Sequence, residues 1–284
     1  RDPYVLAFEN GVLDLKTFEF REGLPSDYLK RKANAAWKSI DEPAPIWEET
    51  LRTTFNGNQE LVDFFQRVVG ISLLGIIRKH FIIILWGKGR NGKTKLLEAI
   101  NYTFGDYAGP IQSETLVKQN NSRLGSAPAP DILGLRGKRI VWASETDDGQ
   151  GLNVGKIKNL TGGDTIVARG MYAKNEVTFE PSHSLFLLTN YLPIVPATDF
   201  ALWERIFLIP FTLAFIENPT KENERKEDTE LDEKLRTEAF GIAAWAVRGY
   251  VEYTKMGLAP PKRSQNRFCR LPAKARLLSG FSGS

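Results

Sequence analysis

An α/β fold organised around a phosphate-binding loop is predicted by three features of this chain. The aliphatic run from Phe81 to Trp86 passes directly into Gly87-Lys-Gly-Arg-Asn-Gly-Lys-Thr94, and then into Lys95 to Phe104, where apolar residues recur at helical spacing. Three more apolar runs of strand length, Arg139 to Glu145, Ser184 to Asn190 and Ile206 to Phe211, suit strands buried on both faces. Helical periods over Asn153 to Leu160 and Leu235 to Tyr253 alternate with them.

Ahead of that core, Tyr4 to Glu22 alternates apolar and polar residues around Glu9-Asn10-Gly11, and an Asn-Gly pair is a strong hairpin signal. Two helical patterns follow between Pro43 and Ile77. Ile46, Leu51 and Phe55 mark the first; Leu61, Phe64, Phe65, Val68 and Val69 mark the second, with Asn58 as its N-cap. The segment from Asp106 to Pro130 is polar and turn-rich and reads as a surface loop. Thr165 to Met171 and Glu176 to Glu180 read as strands around Tyr172-Ala-Lys174-Asn175, a hairpin with a basic, aromatic tip. Pro193 and Pro196 break the chain after Asn190, and Glu217 to Glu233 is charged and expected to be exposed. The divisions are 1–78, a small β and helical subdomain; 79–258, the core; and 259–284, a basic tail.

The chemistry starts from spacing. Gly87 and Gly92 bracket Lys88, Gly89, Arg90 and Asn91 ahead of Lys93-Thr94, the pattern whose backbone N–H groups wrap a β-phosphate. Lys93 is placed to reach the β- and γ-phosphates and Thr94 a Mg²⁺ ion, so a nucleoside triphosphate such as ATP is the expected ligand. Such a site needs a carboxylate at the end of a neighbouring strand, to hold the metal shell and orient or deprotonate the attacking water. Glu145 fits that place, with Asp147 and Asp148 as competitors in what also reads as a turn. Asn190, at the end of another strand, can orient the water or sense the γ-phosphate.

Composition sets bounds on the rest. At 284 residues the chain holds one large α/β domain, or a core with a small appendage, and 42% apolar residues can fill it. No run reaches the roughly 18 apolar residues of a membrane span and no signal peptide opens the chain. A soluble protein of the cytoplasm is therefore expected. The single Cys269 rules out an internal disulfide framework and a cysteine metal cluster, and His80 and His183 are read as ordinary neighbours of strands. The net charge of +4 rests on the stretch 260–284, which holds six Lys/Arg and no Asp or Glu. The basic balance thus says little about nucleic-acid binding by the folded body. The chain opens on Arg1, which reads as a piece of a longer polypeptide.

Taken together, these motifs resemble the superfamily 3 helicases, specifically the phage and plasmid primase family related to the poxvirus primase-helicase. The likeness rests on Gly87 to Thr94 as Walker A and Arg139 to Glu145 as Walker B. It continues through Lys158 to Asp164 as the B-prime motif, Ser184 to Asn190 with Leu192-Pro193 as motif C, and Asp199 to Phe211 as an arginine-finger segment. The resemblance implies an AAA+-type core, a parallel sheet flanked by helices, assembled as a homo-oligomeric ring, usually a hexamer, around single-stranded DNA. It implies that Arg205 reaches a neighbour's γ-phosphate, that Lys158 adds a second basic group in trans, and that Tyr172 and Lys174 grip DNA, with Arg169 bracing the hairpin or touching phosphate. It leaves room for a primase domain upstream of Arg1. After Gly257-Leu258 the chain departs from the family's pattern into the Pro260-Pro-Lys-Arg stretch, whose role stays open. Two other readings compete: a P-loop kinase acting on a small molecule, and a DNA-binding module that uses nucleotide only to assemble.

Overall fold

The computed structural model describes residues 2–118, 128–144, 151–196, 198–262 and 264. It begins with β1 (Val5–Phe8), β2 (Gly11–Asp14) and β3 (Phe20–Arg21), an antiparallel sheet whose first turn is the expected Asn-Gly site. The Asn10 side chain accepts the Trp37 N–H at 2.7 Å and donates to the Trp37 carbonyl at 2.8 Å, so this turn also holds the connecting segment around Trp37. Helices α1 (Pro45–Thr54) and α2 (Gln59–Ile71) come next. Pro45 opens α1 with its φ already helical, and the Asn58 side chain accepts the Leu61 N–H at 3.2 Å to cap α2.

The core then runs through β4 (Ile82–Trp86), α3 (Lys93–Phe104), β5 (Ala108–Pro110), α4 (Pro130–Leu133), β6 (Ile140–Ser144) and α5 (Val154–Thr161). An antiparallel pair, β7 (Ile166–Ala168) and β8 (Val177–Phe179), leads to β9 (Ser184–Thr189), the short α6 (Phe200–Trp203) and β10 (Ile206–Pro210). The pair β11 (Ala214–Ile216) and β12 (Glu224–Lys226) precedes α7 (Leu231–Thr237) and α8 (Ala239–Met256).

Five strands form one parallel sheet in the order β10-β4-β9-β6-β5. This is the α/β core with a parallel sheet that the apolar runs predict. Period-2 alternation sorts their side chains onto two faces. Ile83, Leu85, Ile140, Trp142, Phe186, Leu188, Phe207 and Ile209 face a large cluster with α1, α2, α3 and α8, whereas Ile82, Ile84, Val141, Leu185, Leu187 and Leu208 face a smaller one with α5 and the β7–β8 hairpin. The larger cluster draws residues from both sides of position 78, from Leu6 to Leu258. Where α2 crosses α8 the backbones touch: a Cβ on Gly70 would stand 2.1 Å from Tyr250 N, and one on Gly249 would stand 2.2 Å from Gln66 O.

Two sequence expectations need correction. Within the loop expected from Asp106 to Pro130, Ala108–Pro110 is the edge strand β5. Three residues of Ala-Gly-Pro carry no period, and proline is tolerated there because an edge strand has no second neighbour for its missing N–H. The single helix expected from Leu235 to Tyr253 is two, α7 and α8, and the exposed charged stretch ahead of them contains β12.

His183, read as an ordinary strand neighbour, is 2% exposed, and neither ring nitrogen finds a partner among the described residues. Burial pushes its imidazole down to about 4. Between pH 6.5 and 4 the unfolded chain takes up a proton that the folded chain resists, so stability falls as pH falls through that window, by up to about 3 kcal/mol. Urea melts at pH 7 and pH 4.5 are expected to show this loss in the parent and a smaller one in His183→Leu.

Candidate functional site

All five parallel strands end on one edge of the sheet, the edge where α/β folds bind ligands. The loop from Gly87 to Gly92 leaves β4 at that edge and returns as the first turn of α3, with the main chain in the left-handed region at Arg90 (φ 59°) and Gly92 (φ 86°). Three backbone bonds fix it. Gly87 N–H donates to Thr189 O at 3.1 Å, Phe211 N–H to Trp86 O at 2.7 Å, and Phe215 N–H to Arg90 O at 2.7 Å. Gly87 has no room for a side chain, since a Cβ would lie 2.3 Å from Phe211 O, whereas Gly89 faces open space.

Lys93 opens α3 with 6% exposure. Its ammonium donates to Gly87 O and to Asn190 Oδ1, the latter at 3.3 Å, so the structure brings together two residues expected at the site, 97 positions apart in sequence. Both acceptors are neutral, and no described carboxylate pairs with it. Burial lowers its pKa to about 8. Asn91 is buried too, and its Nδ2 has no acceptor among the described residues. A buried cation, an unused amide donor and the free first-turn N–H groups of α3 together make a receptor for an anion.

The loop forms one wall of a cleft of about 1140 Å³ that continues well beyond it. Thr94 lies exposed on its floor, and Lys88, Gly89 and Arg90 are exposed on the loop itself. Pro45, Ile46, Glu49 and Thr50 of α1 line a second side, and Phe215, Lys226 and Asp228 a third. The sequence reading did not include this last wall. Its local signal was the alternation in Leu213-Ala-Phe-Ile216, and it is tied in place by the Phe215 N–H to Arg90 O bond and by Arg225 Nη2 donating to Asn56 Oδ1 at 3.1 Å.

The basic residues expected to act in trans lie elsewhere. Ile206 pairs with Ile82 and Pro210 with Trp86, so Arg205 precedes the first pair and Gly87 follows the last. Six residues of parallel strand, about 20 Å, separate the two along the sheet. Arg205 donates through Nη1 to Lys158 O at 3.1 Å and to Thr161 Oγ1 at 3.2 Å. Lys158 pairs with Asp199 at 2.7 Å, and that ammonium holds the Asp199 carboxyl below the usual carboxylate range. Lys158 and Arg205 are thus one unit, and Asp199 and Thr161 are the partners that sequence reasoning missed.

The β7–β8 hairpin is anchored by Ile166, Ala168 and Phe179 in the smaller core, while its tip stands in solvent. Tyr172 is 96% exposed with φ 60°, and Lys174 is exposed beside it. Arg169 sits at the hairpin's base, half-buried, and its carbonyl accepts the Ala129 N–H at 2.9 Å. Glu145, Asp147 and Asp148 lie outside the described residues, as does the basic tail beyond Ser264. Ser144, the last described residue of β6, is in register with Leu188 of β9, which in turn pairs with Leu85 of β4. Among the described residues no group of three or more His, Cys, Asp or Glu could hold a metal ion, and no helix is long and apolar enough to cross a membrane.

Comparison with known proteins adds lineage to this geometry. Residues 1–56 match the family described as D5 N terminal like, and residues 85–205 match a family of unknown function, DUF5906. The chain is 30% identical over 297 residues to a protein of Acanthamoeba polyphaga mimivirus provisionally named a helicase, covering 99% of this chain and 30% of the relative. A protein of Invertebrate iridescent virus 6, also provisionally named a helicase, is 29% identical over 83% of this chain and 24% of its own length. One of African swine fever virus, provisionally named a primase, is 25% identical over 80% of this chain and 24% of its own length. The chain therefore spans less than a third of these relatives. Among solved structures, the apo C-terminal region of NrS-1 superposes with a TM-score of 0.56 at 15% identity, over 98% of this chain and 58% of that one, a likeness of fold.

Proposed function

We propose, for a chain that belongs to the primase-helicase family of its viral relatives, that it is an ATP-driven DNA helicase motor of superfamily 3 that works as a ring, usually a hexamer, in the replication of a phage, virus or plasmid. The observation that carries this reading is Lys93, a buried ammonium whose partners among the described residues are neutral, at the foot of the glycine-rich loop and in contact with Asn190.

In this reading the β- and γ-phosphates supply counter-charge to Lys93, and the amide groups of Lys88 to Thr94 wrap them. Asn190, already bonded to Lys93, aligns the attacking water or registers the γ-phosphate. Thr94 and Glu145 would hold Mg²⁺, which neutralises phosphate charge when bound. Glu145 is the proposed acid that orients or deprotonates the water. The cleft between α1 and Phe215 leaves room for the nucleoside. Because Arg205 and Lys158 lie about 20 Å along the sheet from their own loop, the phosphate they serve is that of a neighbouring subunit.

Cleavage of ATP stimulated by single-stranded DNA, measured on the purified chain, tests the reading. Hydrolysis that DNA accelerates supports the motor. Nucleotide binding without turnover would leave an assembly module, and turnover indifferent to DNA but dependent on a small acceptor would indicate a kinase.

The hairpin tip supplies the grip. An exposed ring suits the face of any base and an ammonium suits the strand's phosphates, which gives contact without sequence choice. Lys174→Ala is expected to weaken single-stranded DNA binding and abolish unwinding with basal ATPase intact, and to lower the salt slope of binding by about one. Tyr172→Ala should weaken binding by about 1 to 3 kcal/mol per stacked base and leave that slope unaltered. A salt titration in which both variants match the parent would move the contact to Arg169 or to Lys118, an exposed residue whose N–H donates to Gly151 O at 2.8 Å.

A further inference from the structure

The cleft of about 1140 Å³ is far larger than a chain of phosphates, and its walls beyond the loop differ in kind from the loop itself. Among the described lining residues, Phe215 supplies the only aromatic ring. It is half-buried, its N–H donates to Arg90 O at 2.7 Å, and a Cβ on Gly92 would stand 3.5 Å from the ring and 3.5 Å from Thr54 Oγ1 of α1. The ring and α1 thus close on the same residue of the loop. Both are braced from behind. Phe215 pairs with Arg225 across β11 and β12, and Arg225 Nη2 donates to Asn56 Oδ1, just past α1, at 3.1 Å. The Glu238 carboxylate accepts Ile46 N–H at 2.9 Å and Trp47 N–H at 2.8 Å, which fixes the first turn of α1. Several polar side chains of these walls are engaged within the protein. Thr50 Oγ1 donates to Ile46 O, Glu49 pairs with Arg52 and Asp228 with Lys234, each at 2.7 Å. Beside them Ile46 and Leu231, each half-buried against the larger core, leave apolar surface in the cleft.

We infer that Phe215 stacks on the base of the nucleotide whose phosphates the loop holds, with Ile46 and Leu231 completing an apolar surround. The occupant follows from continuity: the ring lies against the loop at Gly92, so the group beside it is the part of the same ligand that is not phosphate. The face of an aromatic side chain suits the flat face of a nucleobase, and such a contact is worth about ten- to a hundred-fold in affinity. The inference rests on the nucleotide reading above and assigns the residue that distinguishes a nucleotide from bare phosphate. It also gives the segment 1–56 a share in the site, since Ile46 belongs to α1.

Calorimetric titration of the whole chain with ADP and, separately, with inorganic pyrophosphate, each with Mg²⁺, tests it, because the two ligands share their phosphates and differ by the nucleoside. The parent should bind ADP more tightly than pyrophosphate. Phe215→Ala is expected to weaken ADP binding about ten- to a hundred-fold and to leave pyrophosphate binding within about two-fold of the parent. Phe215→Trp, which keeps an aromatic face, should hold ADP within about three-fold. An azido-adenine analogue of ADP should label a peptide of the parent that contains Phe215 on irradiation, and a label confined to other peptides would overturn the inference. If Phe215→Ala melts like the parent yet weakens both ligands alike, the ring only props the loop, and if it leaves ADP binding unchanged, the base lies elsewhere; either result overturns the inference. A parent that binds the two ligands equally has no nucleoside subsite, which overturns the inference while the phosphate loop stands. A parent that binds neither removes the nucleotide reading itself, and the inference falls with it.

Discussion

Lys93→Ala is expected to lose ATP hydrolysis by about a thousand-fold or more and to bind nucleotide weakly, because the buried cation proposed to face the phosphates is removed. The apo protein should be no less stable for it. In the folded state this ammonium is partly desolvated with no ionic partner among the described residues, which pushes its pKa down to about 8. Differential scanning should therefore show an unchanged or higher Tm without nucleotide and no upward shift when ATP is added. Glu145→Gln should separate binding from turnover: the ATP-dependent Tm shift remains while hydrolysis falls by about 10² to 10⁴. Hydrolysis at the parent rate would reassign the acid to Asp147.

Mixing two inactive proteins is expected to restore activity. Arg205→Ala keeps an intact phosphate loop and Lys93→Ala keeps an intact Arg205, so a mixed ring contains composite sites in which each supplies what the other lacks. An arginine finger is worth about 10³ to 10⁵ in rate, so even a minority of repaired sites stands clear of background. ATPase measured across mixing ratios should peak between the pure proteins. Mixed rings that form yet show no recovery would confine Arg205 to the role visible within one chain, holding α5 through Lys158 O and Thr161 Oγ1.

How much of this is legible beforehand depends on where the information resides. Strands β4, β6, β9 and β10 are buried on both faces, so each is a short, nearly continuous apolar run bounded by polar or turn residues. The caps at Asn58 and Asn153 are equally local, each side chain accepting an N–H three residues ahead. Strand β5 is strand only because β6 lies beside it, and Ala-Gly-Pro states nothing on its own. The site divides in the same way. Glycine spacing announces the loop, and residue type suggests Asn190, but the β11–β12 wall owes its place to tertiary bonding. The pairing of Lys158 with Asp199 likewise joins residues 41 positions apart, through the packing of α5 beside α6.

The glycine crossing of α2 and α8 has a consequence for how the molecule is made. The Gln66 side chain, beside that crossing, donates to Trp245 O across 179 positions, so α2 lacks the cover that α8 gives it until α8 has been synthesised, and Phe55 of the preceding turn is its only early ring contact among the described residues. At about 5 to 20 residues per second on the ribosome, Phe64, Phe65, Val68 and Val69 wait roughly 10 to 40 seconds for their partner. During that interval the nascent chain exposes an aromatic helix face, and whatever holds nascent chains in solution in the cell that translates it must cover α2 first.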